Sequence, residues 1–124
     1  LRAQAATGEF WVHQTACFER GEDAACLNAL YGKMRTGKWY PTVSDLCARL
    51  SAAGWRVDEV RPAPALHLEA RDLGVRYGLD ESERRRIRKE MAAEFGASQP
   101  AFHISADGFQ ADLHYRIFIC RAMA

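Results

Sequence analysis

No glycine-rich loop of the kind that cradles phosphate is complete in this chain of 124 residues. Its nine glycines are spaced too widely for the dinucleotide-binding pattern G-x-G-x-x-G. The P-loop pattern G-x-x-x-x-G-K-[ST] is not present either. Such loops bring backbone N–H groups close to an anion, so their absence argues against unaided nucleotide binding.

Long hydrophobic runs and an excess of charge of one sign are missing as well. The net charge is +1, so no overall field attracts the chain to nucleic acid or to a membrane surface. No apolar run approaches the roughly 20 residues that span a bilayer. The segment Leu1–Gln4 does not start a signal-peptide pattern, so a cytoplasmic location is expected.

The cysteines form no C-x-x-C pair. The four cysteines are Cys17, Cys26, Cys47 and Cys120. An even number permits disulfides, but a core of this size needs no covalent staple, so we expect buried thiols in a reducing compartment. In an alternative interpretation His13, Cys17 and Cys26 are metal ligands, although their spacing matches no strong zinc pattern and no metal is expected.

The first half of the chain alternates between strand and helix patterns, and the length predicts a single domain over residues 1–124. Aromatic and β-branched residues predict a strand over Glu9–Phe18, with apolar residues on both faces. An apolar stripe at helical spacing predicts a helix over Glu22–Arg35. Thr42 and Asp45 resemble a capping box that starts a second helix.

The second half of the chain adds more strands and helices. The predicted elements are a strand at Trp55–Val60, helices at Ala65–Tyr77 and Glu81–Phe95, a short strand at Phe102–Ser105 and a long strand at Phe109–Arg121. Pro62 and Pro64 are expected to break the chain between the first two of these elements. Asp80 and Glu83 resemble a capping box before the helix at Glu81–Phe95. Asp107 and Gly108 signal a hairpin. In the long strand one continuous apolar face is predicted, formed by Phe109, Ala111, Leu113, Tyr115, Ile117 and Ile119.

This order of elements resembles the C-terminal half of a class I S-adenosylmethionine-dependent methyltransferase. The segment YPTVSDLCARLSAAGWRVDEV is similar to a helix and the sixth strand of that family, and FQADLHYRIFICRA is similar to its seventh strand. The segment LRAQAATGEFWV resembles the family's lead into strand five. The resemblance implies a partial Rossmann-like α/β fold, a small mixed sheet ordered five, seven, six, with an antiparallel C-terminal strand and helices packed on it.

The resemblance also carries an expectation about function. The family's cofactor half, with its glycine-rich loop and ribose-binding acidic residue, has no match here, so this chain alone is expected to bind no cofactor and to be inactive. The chain would form the substrate side of a larger fold. Completed by a cofactor-binding half, that fold would transfer a methyl group from S-adenosylmethionine to a small-molecule acceptor.

The first strand predicts a partner. Glu9–Phe18 contains neither Pro nor Lys, the residues that commonly protect the edge of a sheet. We expect this edge to be covered by a missing N-terminal half or by a second copy of the chain in a homodimer. The alternative function is therefore a non-catalytic binding or assembly module that dimerises through the exposed strand.

Four residues are candidates for a functional site. Trp39 and Tyr40 precede a proline between two helices, and together with Tyr31 they are expected to form an aromatic wall that binds substrate. An aromatic plug over the core is the alternative interpretation. His13 is the candidate catalytic base, because histidine titrates near neutral pH. The alternative is a structural histidine whose hydrogen bonds are satisfied within the sheet face.

One basic run, Arg84–Lys89, is present near the middle of the predicted fourth helix. Glu81 and Arg85, and likewise Arg86 and Glu90, are four residues apart, so a solvated and ion-paired helix face is expected. Contact with phosphate or nucleic acid is the alternative. Nucleic acid is not expected, because no aromatic residues are interleaved with the charges.

Overall fold

The computed structural model describes residues 8–123, and the expectations for Leu1–Gln4 and most of the lead segment lie outside the described residues. In chain order the elements are β1 (Phe10–Ala16), α1 (Gly21–Lys33), α2 (Val43–Ala52), β2 (Trp55–Glu69), α3 (Ala70–Tyr77), α4 (Glu81–Phe95), β3 (Ser98–Gln99), β4 (Phe102–Ser105) and β5 (Gly108–Ala122). The predicted α/β class, with helices packed on a small sheet, is confirmed.

The long C-terminal strand β5 is the centre of the sheet. Strand β1 pairs antiparallel with its second half, where Phe10 lies opposite Arg121. Strand β2 pairs antiparallel along the other side of β5, as far as Glu69 opposite Gln110. On the β1 side, β4 pairs with the first residues of β5, and β3 pairs with β4. Strands β1 and β2 therefore run in the same direction with β5 reversed between them, and their carboxyl ends point to the end of the sheet where β5 begins.

The prediction that Pro62 and Pro64 break the chain is wrong. Strand β2 continues through both prolines to Glu69, and α3 begins only at Ala70 rather than at Ala65. Within the described residues β2 pairs on one side alone, and a proline on an edge strand need not interrupt a hydrogen-bonded ladder. The pairing of β2 with β5 contains two register shifts, one of which lies between Ala63 and Leu66, beside the prolines.

Strand β5 changes its buried face halfway along its length, so the prediction of one continuous apolar face is wrong in its second half. Near its start, Phe109 and Leu113 belong to a core formed with residues of α1, α3 and α4. Near its end, Phe118 and Cys120 point to the opposite face and pack in a second core with residues of α2. Ile119 is only half-buried. The positions of the packed helices thus determine which face of β5 is buried along each half of the strand.

The starts of α2 and α4 agree with their predicted capping residues. Asp80 Oδ1 accepts a hydrogen bond from the Glu83 amide at 2.7 Å, and the Glu83 side chain accepts one from the Asp80 amide at 3.3 Å. At the start of α2 the Thr42 hydroxyl accepts from the Asp45 amide at 3.1 Å. The Asp80 and Thr42 side chains thereby satisfy helix N–H groups, those of Glu83 and Asp45, that have no partner within the helix.

The cysteines are unpaired, and Cys17, Cys26 and Cys120 are buried, as predicted, whereas Cys47 is half-buried. In the part of the chain that the structure describes, none of the helices is long and apolar enough to cross a membrane.

Candidate functional site

An apolar groove of about 440 Å³ lies between β1 and α2. Trp11, His13 and Thr15 line it from alternate positions of β1, which place their side chains on one face. Leu46 and Leu50, one helical turn apart on α2, form the facing wall, and Phe118 of β5 also contributes to the lining. The groove combines an apolar surface with few polar groups, which is the usual composition of a small-molecule site.

His13 is the titratable group of this groove. Its imidazole stacks on the Trp11 indole, with ring centroids 4.9 Å apart and an interplanar angle of 10°. Trp11 in turn lies 5.4 Å from the buried Trp55 ring. Among residues 8–123 the His13 imidazole has no hydrogen-bond partner, so both ring nitrogens are available to a bound molecule.

The Cys17 thiol, which packs in the second core with the groove residues Leu50 and Phe118, is a poor nucleophile. Burial raises the pKa of Cys17 to about 11, so the thiol stays protonated at neutral pH, whereas nucleophilic attack and metal binding require the thiolate. Cys26 packs in the first core, on the sheet face opposite to His13, so the ligand set of His13, Cys17 and Cys26 is not assembled. Residues 8–123 contain no group of three or more His, Cys, Asp or Glu that could hold a metal ion.

Tyr31 and Tyr40 lie together, but in the first core rather than beside the groove. Their rings meet edge-on at 5.0 Å, and burial raises the pKa of both hydroxyls. The Asn28 side chain holds the Tyr40 backbone, since its Oδ1 accepts from the Tyr40 amide at 2.6 Å and its Nδ2 donates to the Tyr40 carbonyl at 2.9 Å. This is the arrangement of an aromatic plug, and a role in substrate binding stays a prediction.

Trp39 stands apart from its two predicted partners. Its side chain is 56% exposed, and the Arg49 guanidinium of α2 lies 5.3 Å from the centre of its ring. The structure therefore brings Tyr31 and Tyr40 together, leaves Trp39 at the surface, and places His13 on the other face of the sheet.

Trp11 is the groove residue that the sequence did not single out. Its position on the same strand face as His13 follows from simple alternation, and Leu46 and Leu50 follow from the stripe of α2. The missing information was that α2 leaves space above β1 instead of packing onto it. That spacing depends on contacts distant in sequence.

Comparison with known proteins identifies a fold. No protein-family model matches the chain, and no curated protein matches it. Among solved structures, a protein of Bacillus halodurans C-125 described as a "putative methyltransferase" superposes with a TM-score of 0.72 and 10% sequence identity. The similarity covers 95% of this chain and 57% of that protein, so this chain spans little more than half of its length. The likeness shows that this chain has a methyltransferase-like fold.

Proposed function

We propose that this chain is the substrate-side, C-terminal part of a methyltransferase-like fold that a cofactor-binding half completes. The completed fold transfers a methyl group from S-adenosylmethionine to a nucleophilic atom of a small acceptor. This chain by itself binds no cofactor in the proposal, because no loop in its sequence is built to approach one closely. Its own contribution is to position the acceptor.

The contrast between the two long edges of the sheet carries the proposal. Strand β2 has two prolines, two register shifts and exposed charged residues such as Arg61, which are features that discourage further pairing. Strand β1 has none of them, and its Phe10 and Val12 side chains are 56% and 63% exposed. A sheet protected at one edge and open at the other is suited to a partner at β1.

The hydrogen-bonding pattern of β1 is consistent with such a partner. The Cys17 amide, directly after β1, donates to the His114 carbonyl at 2.9 Å. Since amides alternate in direction along an antiparallel strand, the N–H groups of Thr15 and His13 also face β5, whereas those of Gln14 and Val12 face outward. Within the described residues no strand pairs with this outer side, so an incoming strand would find free donors and acceptors.

Within residues 8–123, no helix packs over the apolar sheet face that adjoins this edge. Cross-strand pairing places Val12 beside Ile119, with Ile117 next to it on β5. This face is opposite to the one that α2 covers, and the helices of the first core do not extend to Val12, which remains 63% exposed. Covering it would remove apolar surface from water, which favours association with a second half.

The predicted site residues take definite roles in this proposal. His13 is the proposed base, since its imidazole is exposed beside the groove. Tyr31, Trp39 and Tyr40 lie on the segment that follows the carboxyl end of β1, where open α/β sheets bind their ligands. Trp39, which is exposed beside Arg49 of α2, is the proposed aromatic wall for the acceptor, and Tyr31 and Tyr40 support this segment from the first core.

Titration calorimetry with S-adenosylmethionine and with its demethylated product tests the proposal. We expect no saturable heat from the chain alone, and binding when the chain is produced together with the polypeptide encoded directly upstream of it. Saturable binding by the chain alone would contradict the assignment of the cofactor site to another half. Absence of binding in the combined sample would contradict the methyltransferase function.

The second candidate function, a homodimeric assembly module, is favoured by the same open edge and predicts a different outcome. It requires a stable dimer that Val12→Pro converts to a monomer, because proline removes an outward N–H without affecting the ladder to β5. Val12→Thr keeps the N–H and should leave the dimer intact. Light scattering across a range of concentrations measures both, and a wild-type chain that is monomeric throughout eliminates this candidate.

A further inference from the structure

A basic cleft of about 400 Å³ lies between α3, α4 and the turn before β5. Four arginines line it, together with two acidic residues and the small residues of the turn; the charged residues are Arg71, Arg84, Arg85, Arg88, Glu81 and Asp107. The cleft is located beyond the carboxyl end of β2, where α3 begins. It is separate from the groove at His13, with which it shares no lining residue.

Two of the arginines are held in place by the fold. Arg88 donates from Nη2 to the Ser105 carbonyl at 2.8 Å and from Nε to the Gly108 carbonyl at 3.0 Å, which ties α4 to the hairpin. Arg84 passes directly over Gly74, where a methyl group would lie 3.0 Å from the Arg84 Cδ. A glycine in the middle of α3, unfavourable for a helix, thus makes room for a guanidinium.

The other two arginines are exposed and have no acidic partner. Within residues 8–123 neither Arg71 nor Arg85 forms an ion pair. The predicted Glu81–Arg85 pair is not formed, whereas the Arg86–Glu90 pair, outside the cleft, is formed at 3.0 Å. The basic run is therefore only partly the ion-paired helix face that its spacing predicts.

We propose that this cleft binds the oxyanion of a small molecule, either a phosphate ester or a carboxylate. Guanidinium groups bind such oxyanions through paired charge-assisted hydrogen bonds, and Arg71 and Arg85 are free to form them. The volume is that of a small-molecule site, and its place beyond the carboxyl end of a sheet strand is where α/β folds bind ligands. The inference does not depend on methyl transfer.

Nitrogen-15 NMR of the arginine Nε–Hε groups tests this site with pyrophosphate and with succinate as probes, at constant ionic strength set with sodium chloride. We expect saturable shifts of the Arg71 and Arg85 signals with at least one probe, and the stronger probe identifies the oxyanion class. Arg71→Gln combined with Arg85→Gln should weaken binding by about tenfold or more, since each lost contact is a charge-assisted hydrogen bond.

The matched control is Arg76→Gln combined with Lys89→Gln, which makes the same change in charge on the same two helices, outside the lining. Its effect should be under about threefold, because neither side chain lines the cleft to contact a bound anion and salt weakens the attraction of exposed charges outside it. Equal weakening by both double variants would overturn the proposal, as would a lack of saturable shifts with either probe. Binding of single-stranded RNA but of neither small anion would also overturn it.

Discussion

Between pH 8 and pH 11 the free energy of unfolding is expected to fall by roughly 5 kcal/mol through two buried thiols alone. Burial raises the pKa of Cys17 and of Cys26 from the ordinary value of 9.0 to about 11. Above pH 9 the unfolded chain therefore releases protons that the folded chain still holds. Each thiol then lowers the free energy of unfolding by about 1.4 kcal/mol per pH unit, until the thiol of the folded state also ionises near pH 11.

Urea denaturation at several pH values, with a reductant present, measures this loss. Cys17→Ala combined with Cys26→Ala should give a distinctly flatter dependence on pH above 9, although it is less stable at pH 8. The raised pKa values of Tyr31 and Tyr40 add a further loss at higher pH that the double variant retains. Parallel curves for the double variant and the wild type would contradict the assignment to the thiols.

Replacing Phe118 by alanine is expected to lower the free energy of unfolding by about 3–5 kcal/mol. The Phe118 ring is fully buried in the second core, where Leu50 of α2 and Trp55 of β2 surround it. Its removal leaves a cavity in a core that is small to begin with. Chemical denaturation of the variant gives the value directly.

Ile119→Ala is the matched control for this substitution. Ile119 is adjacent to Phe118 on the same strand, but it points to the opposite face and is half-buried. Its truncation should cost about 1 kcal/mol. A larger loss for Ile119 than for Phe118 would mean that the second half of β5 buries the other face.

The sequence predicts most of the elements but not the way in which tertiary contacts modify them. Capping at Thr42 and Asp80 and the hairpin at Gly108 depend on neighbouring residues, and each is predicted correctly. Pro62 and Pro64 signal a break in any local interpretation. Their acceptance in β2 depends on that strand being at the edge of the sheet, which no local pattern reports.

For the candidate sites, too, local patterns predict some features and tertiary packing decides the others. Alternation alone places His13 on the strand face that lines the groove, and aromatic clustering alone suggests the Tyr31–Tyr40 pair. The separation of these two groups onto opposite faces follows from the packing of α1 and α2 on different sides. Arg71 lines the basic cleft from α3, whereas the basic run Arg84–Lys89 is on α4. No run of charge in the sequence therefore includes Arg71.

The change of buried face along β5 has a consequence for the cooperativity of the molecule. One continuous strand contributes Phe109 and Leu113 to the first core and Phe118 and Cys120 to the second. Unfolding of either core would displace β5, which also forms part of the other core. The two cores therefore form one unfolding unit. The amides between Leu113 and Phe118 then open to solvent only when the entire molecule does.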